Sequence, residues 1–219
     1  MGIVHEYLRF DRRESRLPAT IATLAVAALY LLLPDRLSLG PTVLFPVVAV
    51  LAMIPLTVAD ALGHSHPAYR VLALTLLGFT AAANGASLVL LVRELLARDA
   101  HMSGRQLLAG ALTVWLANLI VFALWFWELD RGGPRARESS EGRLPDFLFP
   151  QMTDAKELLP DWQPAFSDYL YTSSTNATAF SPTDTMPISG AAKLLMSAQS
   201  LSSFALVVLV TARAVNILN

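Results

Sequence analysis

Hydrophobic positions dominate this chain in long uninterrupted runs rather than in alternating or one-faced patterns. Five stretches contain no Asp, Glu, Lys or Arg: Leu17–Pro34, Leu37–Ala59, Val71–Val92, Gln106–Trp127 and Leu194–Ala212. A helix needs roughly 20 apolar residues to cross about 30 Å of hydrocarbon, and each stretch is at or near that length. They lack the polar stripe of a soluble amphipathic helix. The pattern predicts an all-α, polytopic membrane protein with about five transmembrane helices. The first is the shortest and stops at Pro34. It starts late and has no small-residue cleavage site, so it reads as a helix rather than a signal peptide.

The pattern changes between residues 129 and 164. Gly132, Gly133, Pro134, Ser139 and Ser140 suggest a flexible link, mobile in its first half. The runs LPDFLFP and LPDWQP follow, with Phe147, Leu148, Phe149 and Trp162 as apolar anchors that pack the second half on the bundle. This divides the chain into a basic flank (1–16), a four-helix membrane bundle (17–128), a polar loop (129–164) and a C-terminal unit (165–219). In the flank, Arg9, Arg12, Arg13 and Arg16 mix with Glu6, Asp11 and Glu14, which suits a short interfacial helix, though an ordinary basic flank is the simpler reading.

The C-terminal unit has the least ordinary pattern. Residues 165–180 are half polar, with Ser167, Thr172, Ser173, Ser174, Thr175, Asn176 and Thr178 crowded together. They cannot span alone. At membrane depth, irregular polar backbone persists only inside protein or beside water. A re-entrant helix and a surface loop both satisfy that condition. A compact turn with Pro182 and Pro187 comes next, then a long helix whose first half holds Ser197, Gln199, Ser200, Ser202 and Ser203. Gln199 and Ser203 lie four apart, on one face, and either look into a pore or bond a neighbouring helix.

Composition sharpens the class and narrows the chemistry. Of 219 residues, 54% are hydrophobic and 15% charged, against about 25% charged in soluble domains; mean hydropathy is +0.51. There are no cysteines, which excludes disulfides and thiolate chemistry. A net charge of −1 offers no bulk attraction to nucleic acid. No paired carboxylates, nucleophile–histidine pattern or phosphate loop points to an enzyme, and no cofactor is expected. Asp60, His64 and His66 are metal-ligand types, but an exposed loop is the simpler reading. Asn84 sits among small residues suited to close helix packing. Trp125-Phe126-Trp127 reads as an aromatic belt at the membrane surface.

The run Thr178-Ala179-Phe180-Ser181-Pro182-Thr183-Asp184-Thr185-Met186-Pro187 resembles the potassium-channel signature TTVGYGD with a proline three residues on. Thr178, Asp184 and Pro187 match in register. Ser181 and Thr183 replace the filter glycines and Pro182 replaces the tyrosine. A potassium filter aims successive carbonyls at the ion, and proline holds φ near −65° without an N–H. The resemblance therefore implies a pore unit without a standard potassium filter. A second resemblance covers roughly the last eighty residues. LPDFLFP, FSDYLYTSSTNATAF with Asp184 after it, Lys193-Leu194-Leu195 and SLSSFALVVLVTARAVNIL are similar to an uncharacterised bacterial membrane family, domain of unknown function 1345. That likeness implies a multi-pass inner-membrane protein and no particular activity.

The leading expectation is a weakly selective cation pore in a lipid bilayer, a homotetramer passing monovalent cations. Thr178, Ala179, Phe180, Ser181, Pro182, Thr183, Asp184 and Pro187 would form its filter-like turn, with Gln199 and Ser203 facing the pore. The alternatives are a non-conducting scaffold or partner subunit, with the Ser/Thr-rich segment a cap packed by Trp162, Tyr169 and Tyr171, and a small-solute transporter using Asn84, Asn118 and Gln199. Orientation rules conflict. The pore likeness with five crossings puts the N-terminus outside, whereas the N-terminal arginines favour the inside and Arg93, Arg98 and Arg105 favour the opposite.

Overall fold

A computed structural model describes residues 16–61, 67–97, 102–139, 144–153, 155–159, 162–178 and 184–218. The described residues are 79% helical. Seven α-helices are described: α1 (Leu17–Leu31), α2 (Leu44–Ala61), α3 (Pro67–Leu96), α4 (Gly104–Leu129), α5 (Pro134–Ser139), α6 (Phe166–Thr178) and α7 (Gly190–Leu218). The described strands are two residues each, β1 (Phe147–Leu148) and β2 (Met186–Pro187), paired antiparallel.

All five charge-free stretches are helical. Among the described residues, three helices are long and apolar enough to cross a membrane: Ala68–Leu96, Gly104–Arg137 and Gly190–Arg213. The apolar part of α1 has 15 residues, about 22 Å at 1.5 Å per residue, and α2 is also short of a full crossing by length alone. Local chemistry explains the bounds. Pro18 lies in the first turn of α1, where its missing N–H costs nothing. Pro34 then ends the segment, because the residue before a proline resists the α conformation. Pro46 likewise falls in the first turn of α2, while Pro55 lies inside it. α4 opens on a capping box in which the Ser103 hydroxyl accepts from the Gln106 N–H and the Gln106 side chain accepts from the Ser103 N–H.

Contacts give the path. Arg16, just before α1, reaches Glu128 near the end of α4, so these termini share one end of the molecule. Leu37, wholly buried after α1, lies against Gly110 near the start of α4 at the other end. A Cβ on Gly110 would come within 2.5 Å of Leu37 Cδ1, so glycine is what lets this turn close onto α4. The guanidinium of Arg135 donates to the Ala59 carbonyl at 3.5 Å, which returns α2 to the first end.

The core has two parts. One is mainly aliphatic, around Val26, Ala49, Leu91, Val114 and Val121. The other is aromatic and sits at the first end, around Phe126, Trp127, Phe147, Phe149, Phe166 and Tyr169. Large apolar side chains on the outer faces are exposed, among them Leu17 and Ile21 on α1, Leu51 and Ile54 on α2, and Leu201 and Phe204 on α7. That is the surface a lipid-facing helix presents.

Candidate functional site

The link expected to be flexible and mobile at 129–140 is, over residues 130–137, the most charged part of the interior. Asp130 is fully buried and Arg137 nearly so. Asp130 Oδ1 accepts from the N–H groups of Asp146 (2.7 Å) and Phe147 (3.3 Å), and its Oδ2 accepts from the Tyr169 hydroxyl at 2.7 Å. Asp146 in turn accepts from the Arg131 N–H at 2.8 Å. Arg137 donates to the carbonyls of Trp127 (2.6 Å) and Asp130 (3.1 Å) and lies over the Trp127 and Tyr169 rings. Arg131 takes φ 52° and Gly133 φ 95° to make the turn. Breaker residues here give a tight corner, because buried charges need fixed partners.

Tyr169 ties that corner to α6. Along α6 the buried residues are Phe166, Tyr169, Thr172, Ser173 and Ala177, spaced by three and four as one helix face requires. The helix starts beside Trp127, whose ring meets Phe166 at 6.0 Å edge-on. At its start the Ala165 N–H donates to Asp168 at 2.8 Å. Burial pushes the Asp168 carboxyl above its usual range, and that hydrogen bond opposes the rise. Deeper in, the Ser173 hydroxyl donates to the Leu119 carbonyl of α4 at 2.6 Å. After α6 the chain is back beside its own entry point. The hydroxyls of Thr172 and Thr185 pair at 3.1 Å, and Pro187 and Met186 pair with Phe147 and Leu148. Only then does α7 begin.

α7 is fastened to α6 by a set of amide and hydroxyl bonds. Gln199 Nε2 donates to the Ser173 carbonyl (3.0 Å) and hydroxyl (2.6 Å), and Gln199 Oε1 accepts from Asn176 Nδ2 at 2.8 Å. Asn176 also donates to the Met196 carbonyl (2.9 Å), and the Ser200 hydroxyl donates to Asn176 Oδ1 (2.9 Å). A second set joins α7 to the bundle. Asn118 Nδ2 donates to Ser202 (3.1 Å) and Ser203 (3.4 Å), and Asn84 Nδ2 donates to Asn118 Oδ1 (3.0 Å).

The expected site residues fall into three groups. Thr178 ends α6, exposed, its hydroxyl returned to the Thr175 carbonyl. Asp184 is exposed and Pro187 lies in β2. Ala179, Phe180, Ser181, Pro182 and Thr183 lie outside the described residues, as do His64 and His66. Gln199 is 0% and Ser203 1% exposed. Within one chain they face neighbouring helices. Of the aromatic cap residues, Tyr169 is buried and Trp162 stacks edge-on with Phe149, but Tyr171 is exposed. Among the described residues there is no metal-type cluster of three or more ligating side chains.

Ser173, Asn176 and Asp130 do not stand out as site residues in the sequence. The signal for the first two is the three-and-four spacing within the polar segment. For Asp130 the only signal is a carboxylate three residues after an aromatic belt. No family model, curated protein or solved structure matches the chain.

Proposed function

We propose that α4, α6 and α7 form a pore unit of the channel type in a multi-pass inner-membrane protein. In this reading α4 is the outer helix, α6 a re-entrant pore helix and α7 the inner helix, and four copies surround a weakly selective path for monovalent cations. The observation that carries it is the chain path: α6 enters from the end where α4 finishes, the chain is back at that end when β2 pairs with β1, and α7 then runs inward. Asp184 is exposed beside that return, where a ring of carboxylates from four copies attracts cations. The resemblance of 178–187 to a channel signature agrees with this order, as does the likeness to the uncharacterised membrane family.

Cation flux into liposomes that hold the purified protein tests the reading. Flux that Asp184→Asn reduces is the expected result. Liposomes that stay tight under every monovalent cation gradient overturn it.

A second reading has its own observation. Gln199 and Ser203 are spent on helix–helix bonds, and the exposed face of α7 is apolar at Leu194, Leu201, Phe204 and Val208. That suits a non-conducting partner subunit whose α7 docks another membrane helix. Tight liposomes with a folded protein are its expected outcome.

A further inference from the structure

Glu128 stands near the end of α4, two residues before the Asp130 corner, and is 5% exposed. Its Oε1 accepts from Arg16 at 2.8 Å, and its Oε2 is buried with no hydrogen-bond partner. A buried carboxylate oxygen left without a donor is costly. The space beside that oxygen is set by Gly133. The heavy atoms nearest to the point where a Gly133 Cβ would sit are Glu128 Oε2 at 2.9 Å, the Glu128 carbonyl oxygen at 3.3 Å and Arg70 Nη1 at 3.6 Å. An acceptor without a donor and a guanidinium therefore converge on one glycine. Arg70 is exposed and lies in the first turn of α3. A cation there opposes the dipole of its own helix, so α3 by itself gains nothing from it. A carboxylate can take a guanidinium on each oxygen.

We propose that Arg70 is a latch that closes onto Glu128 Oε2 while Arg16 keeps Oε1. The structure holds the latch open beside its catch. Closing it is a rotation of the Arg70 side chain between staggered rotamers, because α3 already brings Nη1 to Gly133. When closed, the carboxylate joins the start of α3 to the end of α4 at the Gly133 turn. The Gly133 N–H donates to the Asp130 carbonyl at 2.9 Å, so the latch couples the front bundle to the corner that Tyr169 ties to α6. Glycine serves this turn in two ways. Its φ of 95° is one that other residues resist, and a Cβ would intrude where the guanidinium arrives.

The test is a double-mutant cycle, read by thermal unfolding of the full chain in detergent at low ionic strength. Arg70→Gln is expected to lower Tm by about 3–6 °C in the wild type and by less than about 1 °C in the Glu128→Gln background. If Glu128→Gln does not fold, Glu128→Asp takes its place. Its shorter side chain draws the oxygen back, and the Arg70→Gln loss is expected to fall at least twofold in that background. The proposal is overturned if Arg70→Gln leaves the wild-type Tm unchanged, or if it lowers Tm as much in the folded Glu128 variant as in the wild type.

Discussion

α1 and α4 contribute Val26, Ala27, Val114 and Ala117 to one buried apolar cluster, whereas α6 and α7 meet through Gln199, Ser173, Asn176 and Ser200. The first region is mainly apolar and continues into apolar outer faces. The second is a ladder of directional bonds. In lipid, apolar surface gains little from meeting apolar surface, so shape and small residues carry the first kind of contact. A helix of 13 residues with a half-polar face cannot be held that way. It has to be placed at a set depth, and amide and hydroxyl bonds do that because each satisfies only one register.

The corner around Asp130 anchors the hairpin, made of α6, its return through β2 and the start of α7, from outside, and the largest effect is expected there. Asp130→Ala removes the carboxylate to which the Tyr169 hydroxyl and the N–H groups of Asp146 and Phe147 all donate. The cost is about 3–5 kcal/mol, the range for leaving buried partners of a charge unpaired. Tyr169→Phe removes only one of those bonds and costs about 1–2 kcal/mol. Thermal unfolding in detergent measures both. An Asp130→Ala protein as stable as Tyr169→Phe means that the corner is not what fixes the hairpin.

The next effect isolates the ladder. Gln199→Leu removes three bonds to α6, each worth about 0.6 kcal/mol between membrane helices, so the loss is about 2 kcal/mol. Its signature is local. The chain has no cysteine, so Ala177→Cys, at a position 2% exposed on α6, gives a single label site. Gln199→Leu is expected to speed its alkylation roughly tenfold or more by letting α6 part from α7. Unchanged labelling with a lowered Tm places the effect in the bundle instead.

The two regions are not equally legible in the sequence. Runs such as Val71–Val92 and Gln106–Trp127 predict their helices directly, because about 20 residues without a charge match the length and chemistry of a helix in lipid. Even Pro46 and Pro55, both within the second run, leave α2 helical. The hairpin is legible only as an order of segments. Its polar side chains carry the information, and which of them face α7 depends on the path of the returning chain. Thr172 meets Thr185 because β2 pairs with β1, and no spacing along the chain encodes that meeting. The corner at 130–137 is hidden for a related reason. Gly132, Gly133 and Pro134 signal a break in helix, and a break is equally compatible with a loose link and with a turn locked by Asp130 and Arg137. Only the burial of those two charges separates the cases.

The smallest expected effect lies where the two regions join. Asn118 bonds forward to Ser202 and Ser203 on α7 and backward to Asn84 on α3. Asn84 is 3% exposed and its Oδ1 has no hydrogen-bond partner. Asn84→Leu removes one bond and one unsatisfied buried acceptor but leaves Asn118 Oδ1 without its donor, so the number of unsatisfied acceptors is unchanged and the loss is that of one bond, about 0.6 kcal/mol. Asn118→Leu removes all three bonds and costs about 2 kcal/mol, close to Gln199→Leu. The double variant then shows a coupling of about 0.6 kcal/mol between the two asparagines. An Asn84→Leu loss as large as that of Gln199→Leu breaks the comparison, since the front bundle would then depend on directional bonds as much as the hairpin does.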